Sequence, residues 1–150
     1  EGRHRSNTAY CTTKSNYIGF EAIFDESAQY TSNDPTNQYD VNKLYGLSDC
    51  GNHHTKNSIR FGWRWLNDSL EILWYKREDG DFSFEKITTI DINTSYYYTI
   101  TFTEDSYILN VDGIEVVVDR KCSETYRRYY LYPYFGGDEE APHDITIGIK

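Results

Sequence analysis

From Ile59 to Trp65 every second residue is apolar: Ile59, Phe61, Trp63 and Trp65 alternate with Arg60, Gly62 and Arg64. A period of two marks a strand with one face in a core and the other facing solvent. A helix of about 3.6 residues per turn would spread the same row around its whole cylinder. In Ile18-Gly-Phe-Glu-Ala-Ile-Phe24 the period returns and puts Ile18, Phe20 and Phe24 on one buried face. Further strands are expected over 70–76, 82–86, 87–92, 96–102, 107–111, 114–118, 129–135 and 145–149. Between them lie turn signals: Asn67-Asp68, Glu78-Asp-Gly-Asp81 and Asp112-Gly113. Asp-Gly flanked by alternating apolar residues is a strong hairpin signal, because the type I′ turn of a two-residue hairpin needs positive φ at both central positions. Turns recur about every ten residues and no ten-residue segment holds a helical period, so a β-sandwich or barrel of nine or ten strands is expected.

At 150 residues the chain fits one domain with one sizeable core. Residues 1 to 16 are polar and without period, and read as an arm or edge segment ahead of a single domain over 17–150. Residues 25 to 56 are rich in Asp, Ser, Asn and Thr and read as a long loop, the first place to look for a site. Aromatic residues make up 17% of the chain, 15 of them Tyr, and Met is absent. That composition favours rigid strands over an adaptable Met-lined groove.

A net charge of −9 repels a phosphate backbone, and no basic block offsets it, so nucleic acid is excluded as a partner. No apolar run approaches the ~20 residues of a membrane-spanning helix, so no transmembrane segment is expected. The chain starts at Glu1 and lacks Met, as a processed product with its signal peptide removed would. Cys11, Cys50 and Cys122 lack the spacing of a thiolate metal site. In an oxidising compartment one pair bridges and leaves an odd thiol, either buried or paired between chains; three unpaired buried cysteines are the alternative. Asn67 and Asn93 open Asn-x-Ser sequons at turns and are candidate glycosylation sites. The expected location is secreted or at the cell surface.

The segment Tyr98-Thr-Ile-Thr-Phe102, followed by Asp105-Ser-Tyr107-Ile-Leu109-Asn-Val111-Asp112-Gly113, resembles the central meander of concanavalin-like and laminin-G-like domains. Asp144-Ile-Thr-Ile-Gly-Ile149 resembles that family's last strand, which returns beside the first. The resemblance covers the last 60 residues or so and implies an all-β, two-sheet antiparallel jelly-roll sandwich. Two denser motifs, from Asn42 to Trp65 and from Tyr132 to Asp144, resemble those of uncharacterised secreted bacterial proteins and carry no activity with them.

Glycoside hydrolysis needs two carboxylates roughly 5 to 9 Å apart, commonly on one strand at alternating positions. Glu71 stands alone on its strand and Asp91 has no acidic neighbour on its face, which argues against a hydrolase. Polysaccharide lyases abstract a proton beside a uronate carboxylate with Tyr or His, while Arg or Gln neutralises the acid. His53, His54, Arg60, Arg64, Tyr75 and the tyrosines of 129–134 supply the residue types, although the arginines could simply pair with surface acids. Sugar binding needs aromatic faces and planar polar groups. Trp63 and Trp65 share a face with Ile59 and Phe61 and belong in the core, whereas Tyr97, Tyr130, Tyr132 and Tyr134 with Arg60 and Arg64 are expected on an open sheet face. Asp138, Glu139 and Asp144 are candidate ligands for calcium, a solvated acidic turn being the alternative. The leading expectation is a non-catalytic module that binds a polysaccharide or other glycan, or serves adhesion. A self-associating subunit of an extracellular filament or surface layer comes second, and a polysaccharide lyase third.

Overall fold

Alternation builds both layers of the molecule. The computed structural model describes residues 10–150. Six strands form one antiparallel sheet in the order β1 (Thr12–Thr13), β10 (Arg128–Leu131), β3 (Asn42–Ser48), β4 (Ser58–Leu66), β5 (Ser69–Glu78) and β6 (Asp81–Ile90). Five form the other: β11 (Ile147–Ile149), β2 (Tyr17–Phe24), β7 (Ser95–Phe102), β8 (Ser106–Val111) and β9 (Ile114–Asp119). The fold is all-β and two-layered, and the last strand pairs beside β2, with Ile147 opposite Phe24.

The inward rows are those the period selects. Ile18, Phe20 and Phe24 from β2 meet Ile59, Phe61 and Trp63 from β4 in one core. Phe20 stacks on Tyr98 with ring centroids 5.0 Å apart, and Phe61 reaches across from the other sheet to meet Tyr98 edge-on at 5.1 Å. Burying each such ring contributes about 1.5–3 kcal/mol. The hairpins close as their turn residues require, with positive φ at Asn67 and Asp68, at Asp79 and Gly80, and at Asp112 and Gly113.

Three expectations about the elements need correction and one is made definite. The stretch from 25 to 56 is no open loop: it carries 3-10 turns at Glu26–Ala28 and Pro35–Tyr39, and then strand β3. Polar residues hid that strand. Asn42 is buried because its side-chain amide donates to the Tyr30 hydroxyl at 3.0 Å and its oxygen accepts the Gly136 N–H at 2.8 Å. A register shift between Lys43 and Gly46 breaks the alternation as well. Second, the segment read as an arm or edge segment is the latter over Thr12–Thr13, which pairs with β10 as the outermost strand of its sheet; its first nine residues lie outside the described ones. Third, 82–86 and 87–92 belong to one strand, β6, with a bulge opposite Ile72 and Leu73. Fourth, the strand expected over 129–135 stops at Leu131 ahead of Pro133, which has no N–H to donate. The chain then returns to the sheet once, through a bridge in which Tyr134 and Lys43 exchange backbone hydrogen bonds of 3.0 and 3.1 Å.

One charged contact ties the two sheets together. Asp49, just past β3 and fully buried, accepts from Arg120 Nε at 2.7 Å, Arg128 Nε at 3.0 Å and the Tyr107 hydroxyl at 2.8 Å. Next to it Cys50 is disulfide-bonded to Cys122. Cys11 is the odd cysteine, and it is exposed rather than buried.

Candidate functional site

The face of the six-stranded sheet that points away from the core carries the polar row of β4. Strand pairing sets Arg60 opposite Tyr75 and Arg64 opposite Glu71, and β6 extends the rows with Phe84 opposite Tyr75 and Phe82 opposite Arg77. On the other side β3 places Lys43 opposite Gly62, a diagonal neighbour of Arg60. Two glycines make this packing possible. A side chain at Gly46 would run into the Ile59 carbonyl and the Arg60 backbone, and one at Gly62 would collide with Val41. Where β3 passes β4, the chains therefore approach closely enough to sink Arg60 into the sheet face.

A cleft of about 550 Å³ opens on this face, bordered by Asp40, Lys43, Tyr75, Arg77, Tyr134 and Asp138. Lys43 Nζ lies 4.1 Å from the centre of the Tyr75 ring and donates to the Val41 carbonyl. The Arg60 guanidinium carbon lies 5.7 Å from the Tyr134 ring. At the β6 end the rings of Tyr75, Phe82 and Phe84 are parallel to within 9°, with centroids 5.9 to 6.4 Å apart. Phe82 is 57% exposed, so its ring forms an apolar ledge open to solvent beside Arg77, whose guanidinium carbon is 5.1 Å away.

The arginines of β4 have opposite fates. Arg64 Nε donates to Glu71 at 2.7 Å and its Nη1 to the Tyr39 carbonyl, while Lys86 holds the other Glu71 oxygen at 3.0 Å. Those charges are spent on one another. Arg60, only 4% exposed, has no carboxylate partner among the described residues, and its buried Nε finds no acceptor. Lys43 and Arg77 make no ion pair among those residues either. Burial, with the like charges of Arg60 and Arg77, pulls the Lys43 ammonium down to about 8, against weak support from Asp40.

Beyond Arg60 the face ends at His54 and Tyr129. The Tyr129 hydroxyl accepts the His54 backbone N–H at 2.6 Å and sits 3.0 Å from His54 Nδ1. Burial first, then the charge of Arg60, lowers His54 to about 4, so its ring is neutral at physiological pH and shares a hydrogen bond with the Tyr129 hydroxyl through Nδ1. His53 is exposed, with Nδ1 2.9 Å from the Thr55 hydroxyl.

Of the expected binding residues, the structure brings together His54, Arg60, Tyr75 and Tyr134, and sets Arg64 beside them in its own ion pair. His53 lies exposed against His54, ring centroids 4.2 Å apart, and the others lie elsewhere. Tyr130 and Tyr132 turn to Tyr45, at 5.9 and 5.7 Å, and Tyr45 packs edge-on against Phe20 in the core. Tyr97 is on the opposite sheet, with its hydroxyl 3.1 Å from that of Tyr17. The acidic turn is divided as well: Asp138 borders the cleft, Glu139 accepts the backbone N–H groups of Asn33 and Asn33's neighbour Asp34 at 2.9 and 3.2 Å, and Asp144 lines a different pocket with His143. Asn67 and Asn93 are exposed at turns, the Asn93 amide donating to Glu26 at 2.7 Å. Lys43, Arg77, Phe82 and Phe84 were not among the expected residues. Register counted back from Asp79-Gly80 could have found three of them, since it places Arg77 opposite Phe82 and Tyr75 opposite Phe84.

No protein-family model matches the chain, and no curated protein matches it in sequence. Solved structures match its fold at low identity. A GlcNAcα1-4Gal-releasing endo-β-galactosidase from Clostridium perfringens aligns with a TM-score of 0.57 and 12% identity, over 93% of this chain and 36% of its own. An alginate lyase aligns at 0.55 and 10%, over 89% and 65%. A PL7 alginate lyase from Zobellia galactanivorans aligns at 0.50 and 12%, over 94% and 61%. The chain thus spans less than two thirds of each of these three proteins. Among the described residues no helix is long and apolar enough to cross a membrane. Two antiparallel sheets, the return of the last strand beside β2 and these structural likenesses show a concanavalin-like jelly-roll fold.

Proposed function

We propose that this chain is a non-catalytic, extracellular glycan-binding module whose ligand lies along the outer face of the six-stranded sheet. The observation that carries the reading is the cleft itself, with the parallel Tyr75, Phe82 and Phe84 rings at one end and charged side chains along it. Exposed aromatic faces stack against the C–H groups of sugar rings, and planar or charged donors fix the hydroxyl and acid substituents. The Cys50–Cys122 disulfide supports an oxidising, extracellular setting. A glycan array, run in calcium and in EDTA, tests the reading and the expected calcium dependence together. Binding that disappears in Phe82→Ala and Tyr134→Ala supports it, and an array without a hit overturns it.

A polysaccharide lyase is the second reading, favoured by the neutral His54–Tyr129 pair next to Arg60. Such a pair supplies a proton acceptor and donor beside a cation. Release of unsaturated product absorbing in the ultraviolet, and its loss in His54→Ala, would establish it; a flat trace with a bound acidic polymer leaves the binding module.

A further inference from the structure

We infer that the ligand is acidic, and that Lys43 and Arg60, flanking Tyr134, form a subsite for a carboxylate or sulfate group on its sugar units. The inference rests on the glycan-binding reading and narrows it to a chemical class.

The chain carries 24 acidic side chains against 15 Lys and Arg, so a basic group has carboxylates in excess to pair with. Lys76, Lys86, Arg64, Arg120, Lys121 and Arg128 all do so. Among the described residues the exposed Lys14, Lys56, Arg127 and Lys150 make no ion pair, as solvated charges need none, but neither do Lys43, Arg60 and Arg77, which lie on one face with Lys43 and Arg60 buried. Arg60 is the extreme case, buried in the sheet face with Nε unsatisfied and only tyrosines as its charge-stabilising neighbours. Burying a charge without a counter-ion is strongly unfavourable, and leaving a donor without an acceptor adds to that cost. A neutral sugar would not relieve it. An anion entering beside Tyr134 would, by accepting from Arg60 and from the two Lys43 protons that the Val41 carbonyl leaves free. Arg64 shows what the same strand does when a charge serves the fold alone: it has Glu71 at 2.7 Å.

The test is calorimetric titration of the full chain with alginate for carboxylate, dextran sulfate for sulfate ester, and dextran and laminarin as neutral polymers, alongside Arg60→Met, Lys43→Met and, as a distant control, Lys121→Met. The expected result is binding of at least one acidic polymer, tenfold or more weaker in Arg60→Met and Lys43→Met and unchanged in Lys121→Met. Arg60→Met is also expected to melt no lower than the parent, because it removes an uncompensated charge; a structural arginine would give the reverse. Should Arg60→Met fail to fold, Lys43→Met and the melting temperature of the parent in sulfate against chloride at equal ionic strength decide the matter. A neutral polymer bound as tightly as an acidic one, and lost in Tyr134→Ala, overturns the acidic class but keeps the glycan reading. No binding to any of the four polymers overturns both.

Discussion

Arg60 and Tyr134 meet 5.7 Å apart across the seam between β4 and the chain that follows β10, and no carboxylate joins them. The contact arises from two sequence features acting together. Alternation in β4 turns Arg60 away from the core, and the single bridge between Tyr134 and Lys43 brings the tyrosine back over the same face. Cation–ring attraction of this kind contributes ~0.5–2 kcal/mol, too little to offset burial of an unpaired guanidinium. The remainder is stability withheld from the free protein and available to a ligand.

Lys43 gives this account a pH signature with two opposite signs. It is faced by Tyr75 and Arg77 from β5, Arg60 from β4, Asp40 from the preceding turn, and Tyr134 and Asp138 from the segment after β10. Its folded value of about 8 lies below the ~10.4 of an unfolded lysine. Between those values the unfolded chain binds more protons, so the stability of the free protein rises with pH above 8. Affinity for an acidic glycan falls over the same interval, because the ammonium is being lost. Melting curves and titrations at pH 7, 8 and 9 check both trends, and Lys43→Met is expected to flatten both.

Asp49 is expected to be the most costly single side chain to neutralise. Burial alone would raise its carboxyl, but hydrogen bonds from Arg120, the Cys50 backbone and Tyr107, with the charge of Arg128, outweigh that and hold it below the usual carboxylate range. A depressed folded value means stability present above the unfolded value of ~3.9 and lost as pH falls through the folded one. Asp49→Asn leaves two buried arginines facing an amide, with an expected loss of about 3–5 kcal/mol at neutral pH. Urea unfolding of parent and variant from pH 7 down to pH 3 should show the gap narrowing with acid.

How much of this could be read in the sequence differs by element. Ile59 to Trp65 revealed its strand because every inward residue is apolar, and Asp112-Gly113 revealed its hairpin because few residue pairs accept positive φ twice. β3 stayed hidden because Asn42, Lys43 and Ser48 are buried polar residues whose partners, Tyr30, the Val41 carbonyl and the Tyr129 N–H among them, are mostly distant in the chain. The site was half visible for the same reason. Arg60, Arg64, Tyr75 and Tyr134 follow from alternation and composition, but which arginine is paired depends on Glu71 and Lys86 coming into register across three strands. Tyr130 faces inward because it shares a side of β10 with Arg128, whose burial against Asp49 the sequence does not announce, and Tyr132 leaves the expected row because the strand ends at Leu131, ahead of Pro133.

The Cys50–Cys122 disulfide closes a separation of 72 residues beside the Asp49 contact. A loop of that length contributes about 4 kcal/mol by the chain-entropy relation. Mild reductant, or Cys50→Ser with Cys122→Ser, is expected to lower the urea midpoint accordingly, while Cys11→Ser leaves it unchanged.

Gly46 tests the link between backbone packing and the site. Gly46→Ala forces β3 off β4 at Ile59 and Arg60, with an expected loss of about 1–3 kcal/mol. Glycan affinity should fall further than for Gly80→Ala, whose position is open and which serves as a control for strained turns. Chemical denaturation and calorimetry on the two variants make the comparison.

The most direct measurement is a backbone and side-chain NMR titration of the labelled protein with the tightest glycan from the array. The account predicts shifts confined to Lys43, Arg60, Tyr75, Arg77, Phe82 and Tyr134, with Tyr17 and Tyr97 on the opposite sheet unmoved. Shifts centred on Tyr17 and Tyr97, with Arg60 and Tyr134 silent, would contradict it.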